Sequence, residues 1–340
     1  MSHRVTLQAT GHHFEVADGE TVLEAAQHAG IELPYGCRQG SCGACRARLV
    51  EGRVDPGSTP ALGLPGLTED HILPCIARPL GDLTLDVLEL GGRTPAPRQL
   101  PCKVVRMQRL APDVMALYLK LPAGERLPFR AGQYVDILTR EGLRRSFSLA
   151  NAPHDDALLE FHVRQVPGGA FTGQVFERLR EKDLLRIEGP LGSFFLREDS
   201  DQPAILLASG TGFAPIKAMV EHAFYCGMTR SMTLYWGGRT GADLYLREMA
   251  EAWARRQPNF TFVPVLSEPP PEEAWAGRTG FVHQAVLDDF ADLSGHQVYA
   301  CGAPVMVDAA RNSFCTERGL PAGAFFSDAF TLAPPAGGAR

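Results

Sequence analysis

Four cysteines, spaced Cys37-x4-Cys42-x2-Cys45-x29-Cys75, constrain this chain more than any other feature. Three thiols within nine residues are hard to explain by packing, because a buried cysteine behaves as a small hydrophobe and needs no neighbours of its own kind. A four-cysteine zinc site more often shows paired C-x2-C knuckles. The C-x4-C-x2-C…C spacing instead matches the plant-type arrangement for a [2Fe–2S] cluster. A cluster held by four thiolates carries net negative charge and has to be stabilised by backbone N–H donors. Gly36, Gly40, Ser41, Gly43 and Ala44 are small enough to let the chain wrap closely around it. Cys102, Cys226 and Cys315 lie outside the spacing and read as small buried hydrophobes.

Around this loop the pattern is short and mixed. Val5–Gln8 and Phe14–Val16 read as a hairpin with Gly11 in its turn. Thr21 followed by Glu24 is a capping-box signature for a short helix that stops at Gly30. Apolar strand material follows at Ala47–Val50 and Leu83–Leu88. The segment resembles a plant-type ferredoxin over about ninety residues, and that resemblance implies a β-grasp (α+β) fold over residues 1–90.

Residues 91–100 hold Gly91-Gly92-Arg93-Thr94-Pro95-Ala96-Pro97-Arg98, which reads as a linker. From 101 to 198 the signal is antiparallel β, with Met115, Leu117, Leu119 and Leu121 alternating as in a half-buried strand. Further strands fit at Gln133–Leu138, Arg145–Leu149, Leu158–Val163 and Leu184–Glu188, suggesting a small barrel. From 199 to 330 strands alternate with helices. Strands read at Ala204–Ala208, Met232–Trp236, Phe260–Leu266 and Gln297–Cys301. Helices read near 214–226 with Pro215 at N1, near 243–256 and 283–290, and after Pro304. This order predicts a doubly wound α/β domain with a parallel sheet. Residues 331–340 read as a tail.

Composition excludes some classes of partner. No run of 18 or more apolar residues appears, so a membrane partner is not expected. The N-terminus shows no apolar signal region, and eight cysteines in 340 residues with four at ligand spacing suit a reducing cytoplasm. Residues 1–92 carry six Arg, no Lys and twelve Asp or Glu, whereas the rest is balanced. No basic stripe for nucleic acid is present. The acidic end reads either as a solvated surface or as a face steered toward a basic protein.

Arg144-Arg145-Ser146-Phe147-Ser148-Leu149-Ala150-Asn151 resembles the R-x-Y-S-x-x-N signature of the ferredoxin reductase family through Arg145, Phe147, Ser148 and Asn151. The resemblance implies a bound FAD, with Arg145 on the pyrophosphate, Phe147 stacked on the ring and Ser148 near its reactive nitrogen. These roles are chemically intelligible. Phenylalanine at 147 lacks the phenol hydroxyl that the family's tyrosine offers. Gly168-Gly169-Ala170-Phe171-Thr172 fits a phosphate-binding turn, with Thr172 expected to cap the next helix. Gly189-Pro190-Leu191-Gly192 matches a weaker family turn.

Gly210-Thr211-Gly212-Phe213-Ala214-Pro215 follows a strand and opens a helix, resembling the family's G-T-G-x-A-P turn for the dinucleotide, NADH or NADPH. Trp236-Gly237-Gly238-Arg239 and Cys301-Gly302-Ala303-Pro304 end later strands. Family likeness places Cys301 beside the nicotinamide, with a simple buried thiol as the alternative, and Arg239 against either a 2′-phosphate or a diphosphate. Gly277-Arg278-Thr279-Gly280 and Ser327-Asp328-Ala329-Phe330 also resemble flavin reductases of this superfamily. Phe330 reads as a flavin cover or a core aromatic, and Asp328 as an acid assisting hydride transfer.

The whole order resembles the reductase components of bacterial oxygenases and the CDP-6-deoxy-glucoseen reductase type. It implies a circuit. NAD(P)H gives two electrons as a hydride, a [2Fe–2S] cluster takes one at a time, and a flavin handles both. The final acceptor is then a protein, an oxygenase component or a deoxysugar dehydrase. A free flavin reductase would need no cluster cysteines, and a ferredoxin-like carrier would need no nucleotide turns.

Overall fold

The computed structural model describes every residue except Met1, 58–63, 65–66, 92–95, 140–141, 143, 272–273 and 332–340. Part of the linker and nearly all of the tail therefore lie outside the described residues. The chain forms two compact units, Met1–Thr94 with Gly192–Phe194, and Pro95–Leu191 with Phe195–Arg340.

In the first unit, β1 (His3–Leu7) and β2 (His13–Val16) form the expected hairpin, and α1 spans Val22–His28. Thr21 caps α1 through the reciprocal bonds of a capping box with Glu24, a device worth about 0.5–2 kcal/mol. β3 (Ala47–Glu51), β4 (Val54–Asp55), β5 (His71–Ile72), β6 (Arg78–Pro79) and β7 (Leu83–Asp86) follow. The sheet runs β2-β1-β7-β3-β5, with β1 and β7 parallel. Val5, Leu7, Leu85 and α1's Val22 and Ala26 are completely buried in one core. Each of the larger side chains contributes about 1.5–3 kcal/mol. This is the β-grasp arrangement.

The second unit begins with six antiparallel strands: β8 (Arg98–Ala111), β9 (Val114–Lys120), β10 (Tyr134–Leu138), β11 (Arg144–Ser148), β12 (Leu159–Arg164) and β13 (Leu184–Leu191). Their order is β11-β10-β13-β8-β9-β12. The end strands meet where Ala150 N donates to Glu160 O at 2.8 Å, which closes the barrel. A helix, α2 (Ala170–Glu177), precedes β13. In β9 the simple alternation fails. Ala116 is as fully buried as Leu117, because both faces of the strand are covered.

Six parallel strands form the other layer: β14 (Ala204–Ser209), β15 (Met232–Gly238), β16 (Phe260–Leu266), β17 (Arg278–Thr279), β18 (Gln297–Gly302) and β19 (Phe325–Ala329). The helices are α3 (Phe213–Tyr225), α4 (Arg247–Arg256), α5 (Val282–Asp289) and α6 (Pro304–Glu317). Strand order β17-β16-β15-β14-β18-β19 reverses direction at β14/β18. Open α/β sheets bind ligands in the crevice at such a reversal. A turn of 3₁₀ helix, Gly210–Gly212, precedes α3, so Pro215 is the third helical residue rather than the first. Its missing N–H is still one the helix leaves unused. No helix among the described residues is long and apolar enough to cross a membrane.

Strand β12 carries much of the joint between the two layers. On β12, Leu159, Phe161 and Val163 fill the barrel core. Glu160, His162 and Arg164 alternate with them and point to the α/β layer. Lys217 of α3 donates to Ala150 O (3.1 Å), Glu160 (3.1 Å) and Glu221 (3.0 Å), which uses all three ammonium protons. His162 bonds Glu160 at 3.0 Å and the Tyr245 hydroxyl at 2.9 Å. Burial pushes the Glu160 carboxyl upward. The His162 hydrogen bond and the Lys217 charge outweigh that and hold it at about 2.

Replacing Lys217 with Met strands the buried Glu160 and the half-buried Glu221 and is expected to destabilise this unit by about 3–5 kcal/mol at pH 7. Glu160 ionises more readily folded than unfolded, so its contribution is complete above its ordinary value of 4.5 and is lost as pH falls toward 2. The penalty should shrink over that window. Urea unfolding followed by tryptophan fluorescence tests this, since Trp236, Trp253 and Trp275 all lie in the α/β layer. Equal stability of variant and parent at pH 7 would contradict it.

Candidate active site

The four ligand-spaced cysteines come together in the first unit. Cys45 and Cys75 sulfurs lie 3.3 Å apart. Cys37 Sγ accepts from the Gln39 and Ser41 amides at 3.4 Å and from Ser41 Oγ at 3.3 Å, and Cys42 Sγ accepts from Cys37 N at 3.3 Å. Backbone amides of Ala44 and Gly40 reach Cys42 and Cys75. A Cβ on Gly36 would stand 3.1 Å from Cys42 Sγ, so a larger residue there would crowd the sulfurs. The Cys37 thiol is drawn down to about 5, first by the hydrogen bond from Cys42, while its donor is pushed up. Four sulfurs ringed by amide donors fit an anionic [2Fe–2S] cluster, which Cys37, Cys42, Cys45 and Cys75 would hold.

In the second unit, β11 carries Arg145, Phe147 and Ser148, of which Ser148 reaches the α/β layer at Asp328. Phe147 is half-buried, 5.3 Å from the Phe171 ring of α2. Arg145 bonds the carbonyl of Arg144 at 2.9 Å. Asn151 is buried. Its Oδ1 accepts from Glu160 N at 2.9 Å and its Nδ2 donates to Asp155 O at 2.8 Å, so it fastens the turn after β11 to β12. Thr172 does not cap α2. The cap position is Gly169, without a side-chain bond, and Thr172 sits a turn inside, accepting from Val166 N at 3.1 Å. The uncapped first-turn amides therefore stay available, beside a cavity of about 350 Å³ lined by Gly168, Gly169 and Gln174. That polar, glycine-walled start of a helix fits the diphosphate of FAD.

The nucleotide turns interlock. A Cβ on Gly212 would lie 2.1 Å from Cys301 O, and one on Gly302 would lie 2.2 Å from Ser209 Oγ. Only glycine permits the β14 and β18 ends to approach so closely. Trp236 donates its indole N–H to Gly210 O at 3.1 Å and stacks on Phe213 at 3.8 Å, which fixes the turn from beneath. Thr211 is half-buried on the same turn, whereas the Arg239 side chain is exposed beyond β15. Asp328 of β19 is in register with Cys301 of β18 and accepts from Ser148 Oγ at 3.3 Å. Phe330 N donates to Gly302 O at 2.8 Å, and the half-buried ring stays outside the core cluster of its layer. Ser148 and Asp328 thus meet, while Cys301 lies completely buried beside Asp328 in the sheet and Phe330 is tied to Gly302 through its backbone.

Sequence reasoning passed over Arg164. Its Nη1 donates to Asp243 at 2.7 Å, and its guanidinium stands beside Gly210 with Nη2 buried and making no hydrogen bond. An orphaned cationic donor at a glycine turn fits a dinucleotide phosphate. The period of β12, with every second residue polar, was the signal that could have revealed it.

Burial raises the Cys301 thiol and the Tyr245 phenol and keeps both neutral, which suits positioning a hydride rather than attacking a substrate. The chain is of the oxidoreductase class. Residues 5–80 match the 2Fe-2S iron-sulfur cluster binding domain, 101–196 the oxidoreductase FAD-binding domain and 206–312 the oxidoreductase NAD-binding domain. The chain is 41% identical over 331 residues to the CDP-6-deoxy-L-threo-D-glycero-4-hexulose-3-dehydrase reductase of Yersinia pestis, covering 97% of this chain and 99% of that one. It is 36% identical to terephthalate 1,2-dioxygenase reductase component 1 of Comamonas sp, at 98% and 99% coverage. A solved Amycolatopsis cytochrome P450 reductase, GcoB, is similar at a TM-score of 0.78 and 35% identity, covering 97% and 99%. The chain belongs to the ferredoxin-linked FAD reductases, which pass electrons from NAD(P)H through FAD to a [2Fe–2S] cluster.

Replacing Ser148 with Ala removes the hydroxyl that meets Asp328. Flavin content should be retained, while the single-turnover rate of flavin bleaching by NADH falls about 10²-fold, the scale of a lost polar contact at a reacting centre. An unchanged rate would remove Ser148 from the reaction.

Proposed function

We propose that Ser148, Cys301, Asp328 and Phe330 form the hydride-transfer crevice, and that the chain delivers single electrons from its cluster to a separate protein. The convergence of Ser148 and Asp328 from different layers, at 3.3 Å, carries the first part. Bound FAD supplies a centre that takes a hydride and releases electrons singly. The chain's own residues orient and enclose. Arg145 and the α2 amides hold the flavin diphosphate, Phe147 supports the ring, and Asn151 keeps the β11 turn in place. Arg164 and the Gly210-Thr211-Gly212 turn hold the dinucleotide, with Arg239 and Gly302 at its margins.

The acceptor is proposed to be a dehydrase or an oxygenase component, the partners named for the similar reductases. The acidic balance of residues 1–92 supports a basic docking face on that protein. Cytoplasmic residence is supported by eight free cysteines, four of them at cluster spacing.

A Cys45→Ser variant is expected to lose cluster absorbance and at least 90% of NADH-driven reduction of cytochrome c, a one-electron protein oxidant, on the order of a tenfold loss in rate. Ferricyanide reduction, which the flavin can support directly, should remain. Equal loss of both would place the cysteines in folding rather than in the electron path. Cytochrome c is basic, so its reduction by the parent should slow several-fold between low salt and about 0.5 M salt. A salt-independent rate would remove the acidic face from docking.

A further inference from the structure

Cys226 departs from the buried-hydrophobe reading, because it is exposed at the end of α3. It sits one helical turn after His222, a spacing that puts both side chains on one face. Glu198, from the segment between β13 and β14, meets them there. His222 Nε2 lies 3.2 Å from Glu198 Oε1 and 3.6 Å from Cys226 Sγ. The three donor atoms all lie within 4.8 Å of one another. None of these residues belongs to the cluster loop, the flavin strand or the nucleotide turns.

Those separations can be compared with a bound ion. Tetrahedral zinc has ligands at about 2.3 Å (sulfur), 2.0–2.1 Å (imidazole) and 2.0–2.2 Å (carboxylate), which puts nitrogen about 3.6 Å from sulfur and about 3.4 Å from oxygen. The observed edges match both. An ordinary His–Glu ion pair explains the first distance, and the helical spacing brings the thiol to the same imidazole, 3.6 Å from Nε2 and 3.9 Å from Nδ1, so the three donors face one another. The donor set is also selective, since thiolate and imidazole favour a borderline-soft ion over magnesium or calcium. His154, stacked on Tyr225 at 3.8 Å, walls one side of the group. The His222 side chain is 13% exposed and Glu198 53%, so the site is anchored yet open to solvent.

We propose that Glu198, His222 and Cys226 form a second, surface metal site for a divalent zinc-like ion, with its fourth position open to water. Binding replaces the thiol proton of Cys226 by the metal and releases that proton. The ion would staple the segment after the barrel to the end of α3.

The test uses the purified holoprotein, treated with chelator and then titrated with zinc. Calorimetry should show one equivalent bound. Iodoacetamide labelling, read peptide by peptide, should slow at least tenfold at Cys226 when zinc is added and stay unchanged at Cys315. His222→Gln and Glu198→Gln should each lose most of that protection while keeping flavin and cluster absorbance. The proposal is overturned if zinc does not slow labelling of Cys226. It is also overturned if both variants protect as well as the parent, because a lone thiolate would then suffice. Zinc capture at the cluster loop instead would appear as bleaching of cluster absorbance with Cys226 still labelled, and would likewise exclude it.

Discussion

The polar face of β12 is the constraint on which the catalytic half depends. One strand has to be apolar toward the barrel and charged toward the α/β layer, and its alternation achieves both. Burying Glu160 without a partner would cost several kcal/mol, so the arrangement is stable only with Lys217 seated on it. Lys217 lies on α3, the helix that begins at the nucleotide turn. The charge pair that joins the layers therefore also sets where the dinucleotide turn stands relative to β11. The 3.3 Å bond from Ser148 to Asp328 is a further contact between the same two layers.

The crevice is likewise dictated by chain order. After β14 the sheet grows toward β17 and then returns to place β18 on the other side. That reversal leaves two strand ends diverging helices above a gap. The gap stays narrow because Gly212 and Gly302 lack side chains where the ends cross. Trp236 then prevents the turn from relaxing, through a buried stack on Phe213 and a hydrogen bond to Gly210. Aromatic packing beneath and glycine contact above give a rigid floor, which a hydride donor requires if its reacting atom is to be held within a fraction of an ångström.

Features set by short spacing were legible in the sequence. The cluster cysteines, the Thr21–Glu24 box and the Gly210–Gly212 turn are local chemistry, and the structure has each where spacing put it. What depends on neighbours distant in the chain was not. β8 runs for 14 residues from Arg98, so Arg98–Leu100, read as linker, are strand, and it continues through Pro101. It can do so because β9 pairs with β8 only from Lys103 onward, leaving β13 as the one partner at the proline. Thr172 has the right type for a cap, but the helix starts one turn earlier at Gly169. Ala116 reads as an outward residue until the covering layer is known. Cys226 reads as core because a thiol usually is. Only the helix end shows it meeting His222 and Glu198.

The buried titratable groups show what kind of chemistry the crevice permits. The Cys301 thiol and the Tyr245 phenol are raised by burial, so neither is ionised at neutral pH. Asp243 goes the other way. Burial would raise it, but the Arg164 hydrogen bond and the Thr240 amide outweigh that, so its negative charge is spent on Arg164. Arg164 in turn offers its remaining donors at the glycine turn. Positive charge is thus held beside the Gly210 turn, as the proposed dinucleotide site requires. In the proposed hydride site, the part of the protein is to hold two flat rings together. That is sufficient for a reaction in which the cofactors carry the electrons and the protein sets distance and order.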